Sequence, residues 1–271
     1  MKKQIRYTIL VALLIVVFQP VSYGNNPLSK SSDTKGKIKV TIIYDNFNFK
    51  EGLKSDWGFS CLIQGTDQTI LFDTGARKSV FEQNFEALSI DPKEIGLIVI
   101  SHDHYDHTGG LETFLEKNSD VYVYIIESFA QKSKKLIEEI GGKIRYEPNL
   151  TEICKDVYLS GTLGDKIEEQ SLAINTDKGL VVITGCSHPG INKILEHFKT
   201  SLNKDIYMVF GGFHLMQMNE EEMKSIISEM KELGVQRCGA THCTGKKQIE
   251  MFKDSFGDNY VSLGVGNVIE F

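Results

Sequence analysis

The densest chemistry in this 271-residue chain is one run, Ser101-His102-Asp103-His104-Tyr105-Asp106-His107-Thr108-Gly109-Gly110. Three histidines and two aspartates crowd into positions 102–107, while the whole chain holds only 7 histidines. Imidazole and carboxylate are the ligands that zinc, manganese and iron take. Crowding them without a metal costs desolvation and charge repulsion. His102 and His104, two apart on an extended turn, can face one ion, and Asp106 and His107 can turn toward a second. The competing reading is a polar loop of solvated histidines, and the concentration of a sparse residue argues against it. Gly109-Gly110 lets the backbone bend into a following helix whose N-terminus points at the site.

Three other histidines, His188, His214 and His242, each follow a β-rich run and adjoin Gly, Cys or Thr. His197 sits inside a helical pattern and reads as a surface or partly packed residue. Asp73, at a strand end, reads either as an acceptor behind a ligand histidine or as a loop cap. His214 reads as packed or as facing the substrate, since Gly211-Gly212 implies close backbone approach at a site edge. Tyr105 is a candidate pocket residue, and Trp57 reads equally as core or as an aromatic at the mouth. Cysteines 61, 154, 186, 238 and 243 form no CxxC pair, which speaks against a zinc finger or a thioredoxin-like motif. An odd count in an exported protein leaves at least one thiol free or metal-bound. Most of them read as small core residues. For Cys186, beside Ser187-His188, core residue and ligand are both open.

These side chains need a scaffold, and the pattern supplies one. Residues 38–44, 59–64 and 69–73 read as strands and 79–88 as a helix, from its spacing of Val80, Phe81, Phe85 and Leu88. The apolar run 95–100, just ahead of the histidines, predicts a strand buried on both faces. Helices follow at 111–117 and 128–140, around a strand at 121–126. In the second half, strands at 172–176 and 180–184 flank the turn Asp177-Lys178-Gly179. A helix at 191–198 and a strand at 206–210 come next. The clearest helix is 219–233, with Asn219 and Glu222 as a capping box and Gly234 as its stop. A strand at 235–240, a short helix and closing strands complete the chain. This order is satisfied by two packed sheets with helices on the outer faces, in one domain over 37–271.

Composition bounds the rest. With 41% hydrophobic residues and 24% charged, the chain is neither disordered nor fibrous. At this size it can bury roughly three quarters of its unfolded surface without disulfides. A net charge of -6 with no basic run in the body argues against a nucleic-acid partner. It leaves room for a small anionic substrate, because a bound metal dominates the local field. Met1 to Arg6 is basic, 9–18 is apolar, and Ser22-Tyr23-Gly24 offers small residues for cleavage. This predicts a secretory signal over 1–24, a polar disordered leader over 25–36, and a periplasmic or extracellular protein. The apolar run falls short of the ~20 residues of a bilayer span, so no stable membrane span is expected after cleavage.

His102-x-His104-x-Asp106-His107 after a hydrophobic strand resembles the signature of the metallo-β-lactamase superfamily, and Leu71-Phe72-Asp73-Thr74-Gly75 resembles its first motif. Thr184-Gly185-Cys186-Ser187-His188-Pro189-Gly190-Ile191, Gly211-Gly212-Phe213-His214-Leu215 and Thr241-His242-Cys243-Thr244-Gly245 resemble a dihydropteroate-synthase-like branch. Archaeal members of that branch are described as dihydropterin-methyl-ribofuranosylaminobenzene-phosphate synthases. The resemblance implies a four-layer αββα sandwich, α/β (α+β) in class, with one or two metals at one edge of the sheets. It implies His102, His104 and His188 on a first ion, and Asp106, His107 and His242 on a second. It also places Asp73 behind the ligands. The nucleophile implied is a hydroxide between two divalent ions about 3.5–4 Å apart, zinc foremost, with manganese or iron as alternatives. Many members carry a bridging Asp at the end of a late strand, where this chain has Gly185-Cys186. Glu168-Glu169-Gln170 competes with His188 for the usual third-histidine place.

The expectation is therefore an exported metal-dependent hydrolase, with Asp106 catalytic, acting on a small-molecule ester, lactone, amide or phosphodiester. The rival is a pterin-type synthase or transferase, against which an export signal weighs. A metal-binding or sensing module without turnover is the third reading, opposed by the intact Asp106. Redox chemistry on iron is compatible with the same ligands.

Overall fold

A computed structural model describes residues 37–271, and the expected signal and leader lie outside the described residues. In chain order the elements are β1 (Lys39–Tyr44), β2 (Ser60–Gln64), β3 (Thr69–Phe72), α1 (Lys78–Ala87), β4 (Ile95–Val99), α2 (Tyr105–Thr108) and α3 (Leu111–Lys117). Then follow β5 (Tyr122–Tyr124), α4 (Gln131–Ile140), β6 (Lys143–Arg145), β7 (Thr151–Cys154), β8 (Val157–Leu159) and β9 (Leu172–Thr176). The chain closes with β10 (Gly179–Thr184), α5 (Ile191–Leu202), β11 (Ile206–Gly212), α6 (Glu220–Glu232), β12 (Arg237–Thr241), α7 (Lys246–Phe256) and β13 (Val268–Glu270).

The strands form a seven-stranded sheet in the order β13-β1-β2-β3-β4-β5-β6 and a six-stranded sheet in the order β12-β11-β10-β9-β8-β7. Both are mixed. Pairing is antiparallel from β1 to β3 and from β7 to β10, then parallel from β3 to β6 and from β10 to β12.

Strand alternation explains the layers. Leu97 and Val99 point into the cluster between the sheets, with Val181, Ile183 and Phe210 from the other sheet. Ile98 and Ile100 face the opposite way, against Phe81, Phe85 and Phe114 of α1 and α3. Leu180 and Val182 likewise face α5, α6 and α7 through Phe198, Met230 and Phe252. Each such side chain taken fully from water stabilises the fold by about 1.5–3 kcal/mol. The order is helix, sheet, sheet, helix, the expected αββα sandwich.

The capping box at Asn219 and Glu222 forms as expected. Three strands escaped the sequence reading: β6, β7 and β8 have three or four residues each, too short to display a period. α5 runs on to Leu202, past the expected end at 198, and the "short" helix after β12 is 11 residues long. Gly109 and Gly110 have ordinary right-handed helical backbones. Their requirement is space, not flexibility: a Cβ on Gly109 would lie 1.8 Å from the Ala76 carbonyl oxygen.

Candidate metal centre

The candidate residues emerge from the carboxyl ends of the parallel strands, where open α/β sheets place their ligands. Asp73 follows β3, His102 to His107 follow β4, Cys186 and His188 follow β10, His214 follows β11, and His242 follows β12. Seven non-glycine residues among those described have positive φ, and four of them are Asp73, Ser187, His214 and His242. Each costs about 1–2 kcal/mol in the left-handed region, a strain that concentrates where side chains must be aimed.

The turn after β4 divides its five polar residues. α2 turns Asp106 and His107 inward and leaves Tyr105 outside, 69% exposed. Asp103 also leaves the centre: its carboxylate accepts from Ala130 N at 2.7 Å and from Ser133 Oγ at 3.1 Å, anchoring the start of α4.

A chain of hydrogen bonds sets two of the rings. Asp73 Oδ1 accepts from Ser101 N at 2.7 Å, and Oδ2 accepts from Ser101 Oγ at 2.8 Å. His107 Nδ1 lies 2.6 Å from the same Oδ2, and His102 Nδ1 lies 2.9 Å from Ser101 Oγ. The Ser101 hydroxyl has one proton and gives it to the carboxylate, so His102 must donate to Ser101 and His107 to Asp73. Both rings then present Nε2 to the centre. Burial pulls the His107 pKa down, but the Asp73 carboxylate outweighs it and raises it to about 9.

His242 is fixed from another element. Its Nδ1 lies 3.0 Å from Asn46 Oδ1, and Asn46 Nδ2 donates back to the His242 carbonyl at 3.1 Å. His242 Nε2 stands 3.3 Å from Asp106 Oδ2. Trp57 completes this side: its indole N–H donates to Asp106 Oδ2 at 2.8 Å, and its ring lies 4.9 Å from that of His242. Burial alone would raise the Asp106 pKa, yet His242 and His107 hold it below the ordinary carboxylate value.

The turn carrying Cys186 and His188 hangs on one buried carboxylate. Glu169 Oε1 accepts from Cys186 N and Ser187 N, each at 2.9 Å, and Oε2 accepts from His188 N at 2.8 Å. Glu169 is thus a support for the turn, its carboxylate spent on backbone N–H groups, and the ring this turn carries toward the histidines is that of His188. The His188 ring lies 4.8 Å from that of His102 and 4.9 Å from that of His104. Burial, followed by the His214 and His104 rings, lowers the His188 pKa to about 3.

Donor atoms of Asp106, His107, Cys186 and His242 lie within 4.8 Å of one another, as do those of His102, Cys186 and His188. His104 Nδ1 sits 2.9 Å from His102 Nε2, at the edge of the second set. These residues fit a metal. Nε2 of His188 and Nε2 of His242 are buried with no hydrogen-bond partner, a state that costs free energy unless a cation takes the lone pair. His214 is exposed, with its ring 4.3 Å from that of His188, and shares a third set with Cys186 and Cys243. His197 is elsewhere, its Nε2 bonded to the Ser160 carbonyl at 2.9 Å.

Sequence reading missed Ser101, Asn46 and the support role of Glu169. Asn46 acts across 196 positions of chain, a distance at which no local pattern gives a signal. Trp57 is resolved in favour of the mouth.

A family profile described as "Metallo-beta-lactamase superfamily" matches residues 58–188. The 7,8-dihydropterin-6-methyl-4-(β-D-ribofuranosyl)-aminobenzene-5'-phosphate synthase of Methanocaldococcus jannaschii is 31% identical, over 86% of this chain and 97% of its own. The crystal structure of Tm1679, a metal-dependent hydrolase of the β-lactamase superfamily, is 31% identical with a TM-score of 0.74, over 86% of this chain and 99% of that one. YhfI from Bacillus subtilis, a metallo-β-lactamase fold protein, shares the fold at 19% identity and a TM-score of 0.63, over 88% of this chain and 100% of that one. A histidine-rich turn at the carboxyl end of β4, two mixed sheets between helices and near full-length relatives agree: this chain belongs to the metallo-β-lactamase superfamily.

Proposed function

We propose that this chain is a metal-dependent enzyme of the synthase or transferase type, acting on a pterin-like small molecule. The metal-dependent part is carried by one observation: two buried imidazole nitrogens without partners, amid converging histidines and an ionised aspartate. His102, His104 and His188 would hold one divalent ion and Asp106, His107 and His242 a second, with zinc favoured. Such ions act as Lewis acids on a phosphoryl or carbonyl oxygen and neutralise charge on a leaving group. Asp106, kept ionised by His242 and His107, would ligate the ion and orient the attacking group. Asp73, through Ser101 and His107, keeps the imidazole rings from turning.

The substrate class rests on the archaeal synthase, similar over nearly its whole length, and one cavity of the molecule has a lining chemistry compatible with it. About 400 Å³ in volume, it is lined by Glu127, Ser128, Tyr146, Glu147, Thr162 and Glu168. Carboxylates beside an aromatic ring suit a flat heterocycle whose amino-pyrimidinone edge donates paired N–H groups.

The second reading is a hydrolase with water as acceptor, favoured by the likeness to Tm1679. Zinc-loaded full-length chain, incubated with a dihydropterin and an aminobenzene ribose phosphate and separately with ester, lactone and phosphodiester panels, decides between them. Coupled product is expected; hydrolysis alone would sink the synthase reading, and no metal uptake would sink both. We also propose export, from the signal-like start. N-terminal sequencing of envelope protein should find Asn25 first, and an intact Met1 in the soluble cytoplasm would refute it.

A further inference from the structure

We infer that the Cys186 sulfur is a metal ligand shared between the two halves of the centre. The inference rests on the metal-dependent reading above and concerns how this chain completes the site.

Cysteines in this protein divide into two kinds. Cys61 and Cys238 belong to apolar clusters, and Cys154 packs against one of them. Cys186 and Cys243 belong to none, although each is only 3% exposed. A small core residue would be surrounded by aliphatic carbon. Cys186 Sγ instead lies 3.2 Å from His107 Nε2 and is the one atom common to both imidazole sets. Among its neighbours in those sets is His242 Nε2, on a residue only 2% exposed and without a hydrogen-bond partner.

The turn is also built to hold the sulfur still. Three backbone N–H groups, those of Cys186, Ser187 and His188, are gripped by Glu169. Ser187 Oγ donates to the Gly212 carbonyl at 2.7 Å, and a Cβ on Gly185 would lie 2.1 Å from Ser101 Oγ. Sulfur and the His188 ring are therefore aimed by one rigid unit. On binding, the thiol proton leaves to solvent and the sulfur lone pairs go to the cations. A soft donor in the middle of the centre favours zinc or cobalt over manganese.

Full-length chain loaded with cobalt(II) tests this. Sulfur-to-cobalt charge transfer should appear in the near ultraviolet. Cys186→Ser should abolish it and weaken cobalt binding at least about tenfold, since even the loss of a residue behind a ligand costs 10–100-fold. Cys243→Ser should keep the band. Should Cys186→Ser fail to fold, cadmium-113 NMR of the unaltered chain still decides: both cadmium signals should fall in the thiolate-bound range, as a shared ligand requires. Cobalt bound without the band, or a band that survives Cys186→Ser, would overturn the inference alone. A band lost on Cys243→Ser would also overturn it, because the sulfur would then serve the third set with His214. An unaltered chain that takes up no cobalt would overturn the metal-dependent reading itself.

Discussion

The two halves of the centre use the same side-chain chemistry and are held in opposite ways. Around Asp106, His107 and His242, every side chain has a partner behind it: Asp73 for His107, Asn46 for His242 and Trp57 for Asp106. Around His102, His104 and His188 only His102 has one, in Ser101, while His104 is exposed and His188 half-buried. The braced half is set by loops from both ends of the chain, and the open half by two turns that face solvent. A buried histidine must have its tautomer and ring angle chosen by a neighbour. An exposed one keeps its freedom to turn until an ion orients it. The pKa values follow this division. His107, beside a carboxylate, rises to about 9, while burial and neighbouring rings push His188 down to about 3.

Removing the brace should have the largest effect. Asp73→Ala leaves Ser101 N and His107 Nδ1 buried and unpaired, and should cost about 3–5 kcal/mol in urea unfolding. His104→Ala, on the open side, should stay within about 1 kcal/mol of the unaltered chain. Equal losses from the two would erase the distinction. For chemistry, Asp106→Asn should leave the circular dichroism spectrum unchanged. It should slow turnover of whichever substrate the chain accepts by roughly 10²–10³-fold, about 2.7–4 kcal/mol. Near-normal turnover would make Asp106 structural.

A pH effect sharpens the comparison from the same side. Burial raises the Asp45 pKa from 3.8 to about 6, against the Thr241 hydroxyl that donates to both its oxygens at 2.8 Å. The folded state therefore holds this proton more tightly than the unfolded one. That stabilisation is complete below the unfolded value near 3.8 and lost as pH rises through about 6. The amount is on the order of 3 kcal/mol. Asp45→Asn should abolish this fall, so its stability advantage over the unaltered chain should grow from pH 4 to pH 7 and then level off. Parallel curves would show that Asp45 does not carry it. The smallest effect is expected at the mouth. Trp57→Phe keeps a ring over His242 and removes the N–H to Asp106, costing about 1 kcal/mol, or roughly fivefold in affinity for the second ion. Titration calorimetry with zinc measures it.

Much of this was legible without coordinates. The buried run 95–100, the histidines that follow it, the strand-end Asp73 and the capping box at Asn219 are local patterns, and local patterns survive in a one-dimensional string. His188 and His242 stood out because each follows a β-rich run, and the family resemblance was what implied ligand roles for them. What escaped was either short or remote. β6 to β8 carry too few side chains to show alternation, and Asn46 meets His242 only because β1 and β12 end beside each other at the same edge of the sandwich.

The sequence by itself determined the fold class and the ligand chemistry, because hydrophobic period and residue type are properties of neighbouring positions. Tertiary structure alone decided which acid does what. Glu169 and Asp73 are both buried carboxylates, yet one grips a backbone turn and the other orients a ring. It also decided that Cys186 lies among imidazoles rather than aliphatic carbons. Those roles depend on what packs against each group across more than 100 residues of intervening chain in some cases, and burial, hydrogen bonding and charge act through space rather than along the sequence.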